Sequence, residues 1–300
     1  MLSTDFFRLV RFDVPPQDIE QVFKRREAKC ALIIPASFAR DLKTKLDTKI
    51  QLLVDASDPN AANYIQKYLM QVNAGFERQN NRFFVQPFSV EPRIFYNPAL
   101  KAHNFFVPGL ISVIILLISA LLTSIAIVRE KENGTMEQIL VSPVRPAQII
   151  IGKVIPYTLL AFLDGVLVLT IGHLWFRVPI MGSPLLLMGA LVIYILTGLS
   201  FGLLVSTLTG SQREAMLVTV LATILPTIML SGFIFPIASM PLLFRYFSWI
   251  IPATHFITII RGVMLKGNVL GDLSVQISAL VAITGFMLAL SMKKFKTRLE

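Results

Sequence analysis

Residues 104–128, NFFVPGLISVIILLISALLTSIAIV, carry no charge between His103 and Arg129. A helix needs about 20 apolar residues to cross roughly 30 Å of hydrocarbon, so this run alone predicts a membrane-spanning chain. Three further runs follow: 154–176, interrupted only by Asp164; about 185–209, after a turn at 177–184 marked by Pro179 and Pro184; and 215–235, with Pro226 inside it. A last run covers 273–292. Between the last two, residues 246–260 are apolar but short and broken by Pro252. They read as a re-entrant or interfacial element rather than a crossing.

Composition points the same way. The 300 residues are 54% hydrophobic and 15% charged, with a mean hydropathy of +0.68, which excludes an ordinary soluble protein. Charge is concentrated at one end: residues 1–103 hold 15 of 28 Lys/Arg and 11 of 18 Asp/Glu. A polar domain at 1–103 therefore precedes a transmembrane domain at 104–300. Within the polar part, Phe6–Val14, Cys30–Pro35 and Ile50–Asp55 read as strands, 17–27, 37–46 and 60–79 as helices, and 82–98 as extended. The predicted fold is an α-helical polytopic membrane protein of five spans with an N-terminal α/β domain.

The net charge of +10 does not predict nucleic-acid binding, because the basic residues form no stripe with interleaved aromatics. They flank the spans instead. Five spans place 129–153, 210–214 and 293–300 on one side with nine Lys/Arg, against four on the other, at Arg177, Arg245, Arg261 and Lys266. The richer side is cytoplasmic by the positive-inside rule. That makes 1–103 extracytoplasmic and the C-terminus cytoplasmic. Met1–Arg11 hold no apolar export signal, so one upstream helix is expected beyond this sequence. Arg261 and Lys266 read as headgroup-level anchors.

A lone Cys30 excludes an internal disulfide, and His103, His173 and His255 are too scattered for a metal site. No phosphate-cradling loop is present: Gly152-Lys153 is followed by Val154, and Ala147 stands where the loop's first glycine belongs. No Ser/His pair or acidic dyad lies at membrane depth, so an intramembrane enzyme is disfavoured. Asp164 sits mid-span, where an aspartate costs roughly 3 kcal/mol on insertion scales. It is either a substrate-pathway residue or a helix-packing one. Gly198, Gly202, Ser206 and Gly210 recur every fourth residue and predict close helix packing, within one subunit before between two.

The segment Arg129-Glu130-Lys131-Glu132-Asn133-Gly134-Thr135-Met136-Glu137-Gln138 sets Met136, Ile139 and Leu140 on one helical face and its acids elsewhere. Periodicity alone allows a membrane-surface helix or one presenting charge to a partner. The string closely resembles the cytoplasmic loop of ABC-2-type transporter permeases, the membrane subunits of ATP-binding-cassette exporters. Asn97-Pro98, Phe106-Val107-Pro108-Gly109-Leu110, Ser142-Pro143, Gly152-Lys153, Pro156-Tyr157, Ser231-Gly232-Phe233-Ile234-Phe235-Pro236, Met240-Pro241 and Arg261-Gly262 continue the likeness in order. The large outer domain resembles the bacterial inner-membrane drug-exporter branch, whose members have six spans and carry that domain between the first two.

The resemblance implies a coupling helix in 129–141 docking on an ATPase, with Arg129, Glu130, Lys131, Glu132, Gly134, Thr135 and Glu137 as contacts. Arg213 and Glu214 would form a second, smaller contact. It further implies ATP bound on the partner subunit with no cofactor on this chain, a second permease copy, a periplasmic adaptor, and export of a lipophilic or drug-like compound. The chain would then be a transport subunit rather than an enzyme. Rival classes are a membrane-anchored ligand sensor or scaffold, and a secondary transporter. Against the last, neither inverted repeats nor several intramembrane ionisable residues are found.

Overall fold

The computed structural model describes residues 7–43, 48–80, 88–134 and 146–297. The chain divides into two compact units, 1–105 and 106–300.

In the first unit β1 (Cys30–Ile33), β2 (Thr48–Asp55) and β3 (Phe88–Phe95) form one sheet in that order, with α1 (Ile19–Lys24), α2 (Phe38–Lys43) and α3 (Pro59–Asn80) around it. β1 runs antiparallel to β2, with Cys30 opposite Val54, while β2 and β3 are parallel, Leu52 opposite Pro92. A parallel pair needs a long crossover, and α3 supplies it. The two-residue side-chain period of β2 loads both faces. Leu52 and Val54 pack with Ala62 and Leu69 of α3, while Leu53 packs with Ile19 and Phe23 of α1. Asp58 starts α3: its Oδ1 accepts from Asn60 N at 3.1 Å and Ala61 N at 3.2 Å, with Pro59 at the first helical position.

Two local expectations are corrected here. Residues 7–14 form no strand; Asp13 adopts φ 58° just before Pro15-Pro16, and Phe12 stands 86% exposed. The helix expected over 17–27 stops at Lys24 because Arg26 takes φ 60°.

The second unit is helical: α4 (Ala102–Glu132, beginning within the first unit), α5 (Pro146–Leu174), α6 (Pro184–Leu208), α7 (Gln212–Leu230), α8 (Leu242–Ile250), α9 (Pro252–Arg261) and α10 (Ser274–Thr297). Among the described residues, five of its helices are long and apolar enough to cross a membrane. Their starts follow elementary capping. Ser183 Oγ accepts from Leu186 N ahead of α6, with Pro184 at its first position. Ser211 Oγ accepts from Glu214 N at 3.2 Å ahead of α7, and Glu214 reaches back to Gly210 N at 3.0 Å.

The core lies where α6 meets α4, α9 and α10. Tyr194 stacks on Phe256 with ring centroids 4.0 Å apart, and its hydroxyl meets Ser112 Oγ at 2.9 Å. Thr197 Oγ1 and Thr284 Oγ1 bond at 2.6 Å, and Ser291 Oγ donates to the Ser200 carbonyl at 2.8 Å, so hydroxyls join α6 to α10. Gly198 and Gly202 let α4 approach: a Cβ at Gly198 would lie 2.7 Å from Ser119 Cβ, and one at Gly202 would run into the Ala120 carbonyl. Gly210 falls outside this face, because α6 ends at Leu208 and Gly210 is an exposed turn residue.

The span expected to run to 235 ends at Leu230, since Gly232 turns the chain with φ 79°. α8 and α9, the latter continued by a π-helical turn at Gly262–Lys266, meet at 83° where Pro252 interrupts the 246–260 run. Arg261 and Lys266 are buried, 6% and 5% exposed, rather than turned outward as headgroup anchors. The Arg261 guanidinium donates to the Gly232 carbonyl at 3.0 Å and the Phe233 carbonyl at 3.2 Å. Those carbonyls lie beyond the end of α7, and a buried cation satisfies them.

Candidate functional site: the root of the first long loop

Successive residues of a helix point 100° apart, and the last turn of α4 uses that spread. Lys131 Nζ donates to the Ser206 carbonyl, near the C-terminal end of α6, where a cation is favoured by the helix dipole. Glu132 Oε1 accepts from the Gln212 backbone N at 2.9 Å, and Glu132 Oε2 accepts from Gln212 Nε2 at 2.5 Å. Gln212 is the first residue of α7, so this carboxylate satisfies an N–H that the helix itself leaves unpaired. Two adjacent residues of α4 thus hold both ends of the short turn Thr209-Gly210-Ser211.

Arg129 and Glu130 face elsewhere. They border a cleft of about 530 Å³ whose walls include Ile118, Leu122 and Ile125 of α4 and Tyr157 of α5, with Asn133 and Gln212 at its polar end. Asn133 and Gly134 are exposed at the tip of the helix, and Gly134 carries φ 72°. Arg213 and Glu214 are exposed beside it on α7. The described part of the predicted coupling segment 129–141 therefore meets the second predicted contact, 210–214, through Glu132 and Gln212. Thr135, Glu137 and the rest of 135–145 lie outside the described residues.

Asp164 is half-buried on α5, and its carboxylate makes no hydrogen bond or ion pair among the described residues. It lies seven residues from Tyr157, hence on the same helical face two turns further on. Sequence reasoning gave Tyr157 no role at the site, and Gln212 only a place in the 210–214 contact loop. The Ser211–Glu214 spacing that starts α7 is readable locally, but the 80-residue separation of Glu132 from Gln212 is not.

These features define a polytopic helical membrane protein whose charged loop roots are tied together at one end of the bundle. The chain belongs to the ABC-2 transporter family: residues 5–293 match the family model described as ABC-2 family transporter protein. It is 35% identical over 274 residues to the probable multidrug ABC transporter permease YbhS of Escherichia coli (strain K12), covering 90% of this chain and 73% of that one. It is 34% identical over 253 residues to the probable multidrug ABC transporter permease YbhR of the same strain, covering 84% and 68%. A more distant relative, ABC transporter G family member 20 of Dictyostelium discoideum, is 28% identical over 291 residues, 94% of this chain and 40% of that one.

Proposed function

We propose that the chain is the permease subunit of an exporter that moves a lipophilic or drug-like compound out across a bacterial inner membrane, driven by a separate cassette ATPase. The observation that carries this reading is the Glu132–Gln212 joint. It makes the end of α4 and the start of α7 one mechanical piece. The printed names of the YbhS and YbhR relatives support the transport class and the drug-like cargo.

In this reading the ATPase docks on the tip beyond Asn133, through Gly134, Thr135 and Glu137, and on Arg213 and Glu214. Lys131 and Glu132 serve the joint rather than the docking face. ATP closes the ATPase subunits, the docked tip moves with them, and α4 passes the displacement to α6 and α7 together. Only contacts that differ in energy between the inward- and outward-facing states drive that shift. Asp164 lines the pathway, a second permease copy covers the apolar flanks that α5, α7 and α10 leave exposed, and residues 1–103 form an α/β domain on the outer side, where an adaptor meets it. The bent α8–α9 pair is re-entrant from that side.

Two cysteines test the docking. N133C and R213C, each in a C30S background and co-expressed with the cassette ATPase, are expected to cross-link to it. If the ATPase co-purifies while neither position cross-links, the docking surface lies elsewhere and the coupling role of this joint is lost.

A further inference from the structure

The cleft beside the α4 root has the polarity profile of a membrane lipid. Its apolar part begins at Ile118, and its first charge is Arg129, eleven residues later. At 1.5 Å per residue that is about 16 Å along the helix, close to half of a roughly 30 Å hydrocarbon core. One leaflet's acyl chain has that reach. The volume, about 530 Å³, falls within the ~300–1,000 Å³ usual for small-ligand sites.

The polar end selects the sign of the ligand's charge. Glu130 already has an interaction partner within the chain. The Glu132 carboxylate is occupied by Gln212. The Arg129 side chain is exposed, and its guanidinium makes no hydrogen bond or ion pair among the described residues, which leaves it as the uncommitted charge at the mouth. Asn133 adds an amide beside it. A guanidinium with neighbouring amides is suited to a phosphate.

We infer that the cleft between α4 and α5 binds an anionic phospholipid, one acyl chain lying along Ile118–Ile125 and the headgroup phosphate on Arg129. The site requires only that α4 and α5 lie in a bilayer, and it stands or falls independently of whether an ATPase docks on the neighbouring tip.

Tyr157 faces the cleft and gives the test its reporter. Y157W, with W175F and W249F removing the native indoles, is reconstituted as the full chain in phosphatidylcholine vesicles. Part of the lipid is replaced by dibrominated phosphatidylglycerol or, in parallel, dibrominated phosphatidylcholine, and quenching gives the relative binding constant. A cation near the surface contributes about fivefold to anionic-lipid preference, and that preference is expected for Y157W. R129Q should bring it to about parity and R129K should retain it, while E130Q should leave it unchanged or raise it. Parity in Y157W itself, before any change at Arg129, overturns the inference. So does a preference that survives R129Q, or one abolished by E130Q instead.

Discussion

The ring of Phe233 lies where a side chain at Gly109 would have to go: a Cβ built there meets the ring edge. Phe233 belongs to the loop that Arg261 holds by its carbonyls, and Phe106 packs edge-on against it at 6.2 Å. Gly109→Ala therefore forces the loop to shift, and overpacking of this kind costs about 1–3 kcal/mol. F233A alone should cost about 3–5 kcal/mol through the cavity it leaves. The G109A/F233A pair should cost less than the sum, by about 0.5–3 kcal/mol for residues in contact. Thermal unfolding in detergent measures all three; strict additivity would mean that the two residues do not touch.

Two glycines of α6 should behave oppositely. Gly202 abuts the Ala120 backbone carbonyl, which cannot rotate away as a side chain can, whereas nothing lies within 4 Å of a Cβ at Gly189. G202A should lower the unfolding temperature by separating α4 from α6. G189A should be neutral or stabilising, by up to the ~1 kcal/mol that alanine gains over glycine in a helix. Equal effects at both sites would contradict the close approach.

Tyr194 combines two interactions that substitution can separate. Its hydroxyl bonds Ser112 Oγ at 2.9 Å and the Ser112 carbonyl at 3.1 Å, while its ring stacks on Phe256. Y194F keeps the stack and should lose about 0.5–1.5 kcal/mol. Y194A loses both and should cost about 3–5 kcal/mol, as aromatic truncations in packed cores do. A Y194F variant as unstable as Y194A would assign the whole effect to the hydroxyl.

The spans were legible because crossing a bilayer demands only length and apolarity, and both are composition. Local starts such as Asp58-Pro59 were legible because capping is decided within four residues. What the sequence hid depends on distant backbone. The Leu230 stop follows from Gly232 and from the Arg261 guanidinium, which reaches back to the Phe233 carbonyl 28 residues earlier. The burial of Arg261 follows from carbonyls it must satisfy, so charge counting alone placed it outside. Phe6–Val14 alternates well enough for a strand, yet Asp13 takes a left-handed backbone and Pro15-Pro16 provide no N–H for a ladder. At the candidate site the two segments were visible separately; their joining was not, because neither Glu132 nor Gln212 announces its partner.

Cys30, at the start of β1, reports on the N-terminal unit by itself. Burial pushes its thiol above the usual range, since the thiolate is the form disfavoured in apolar surroundings. Maleimide labelling of the folded chain should be slow at neutral pH and keep rising with pH beyond about 8.5, the value for a free cysteine. The unfolded chain releases its proton first as pH rises. The stability contribution is therefore full below the unfolded pKa and is lost as pH climbs through the folded one. Labelling that plateaus near 8.5 would place Cys30 in water. The same thiol tests placement: a membrane-impermeant maleimide should reach it from outside spheroplasts, and reaction only after lysis would put residues 1–103 on the inner side.

The Glu132–Gln212 joint predicts an ordered series in transport rather than in assembly. Glu132 Oε1 and Oε2 accept from one backbone and one side-chain donor of Gln212. E132Q keeps an oxygen for the backbone N–H, but its amide confronts the Gln212 amide donor to donor, and the charge at the α7 N-terminus is gone. E132A removes both acceptors. Transport per ATP hydrolysed should therefore fall in the order wild type, E132Q, E132A. Q212A spares the backbone bond and should match E132Q, and adding it to E132A should lower transport no further, because that joint is already broken. Co-purification of the ATPase should stay constant across the series, since the tip beyond Asn133 is untouched. An E132A variant that exports at the full rate per ATP would show that α4 moves α7 by some other contact. Loss of the ATPase in E132A would instead return Glu132 to the docking face.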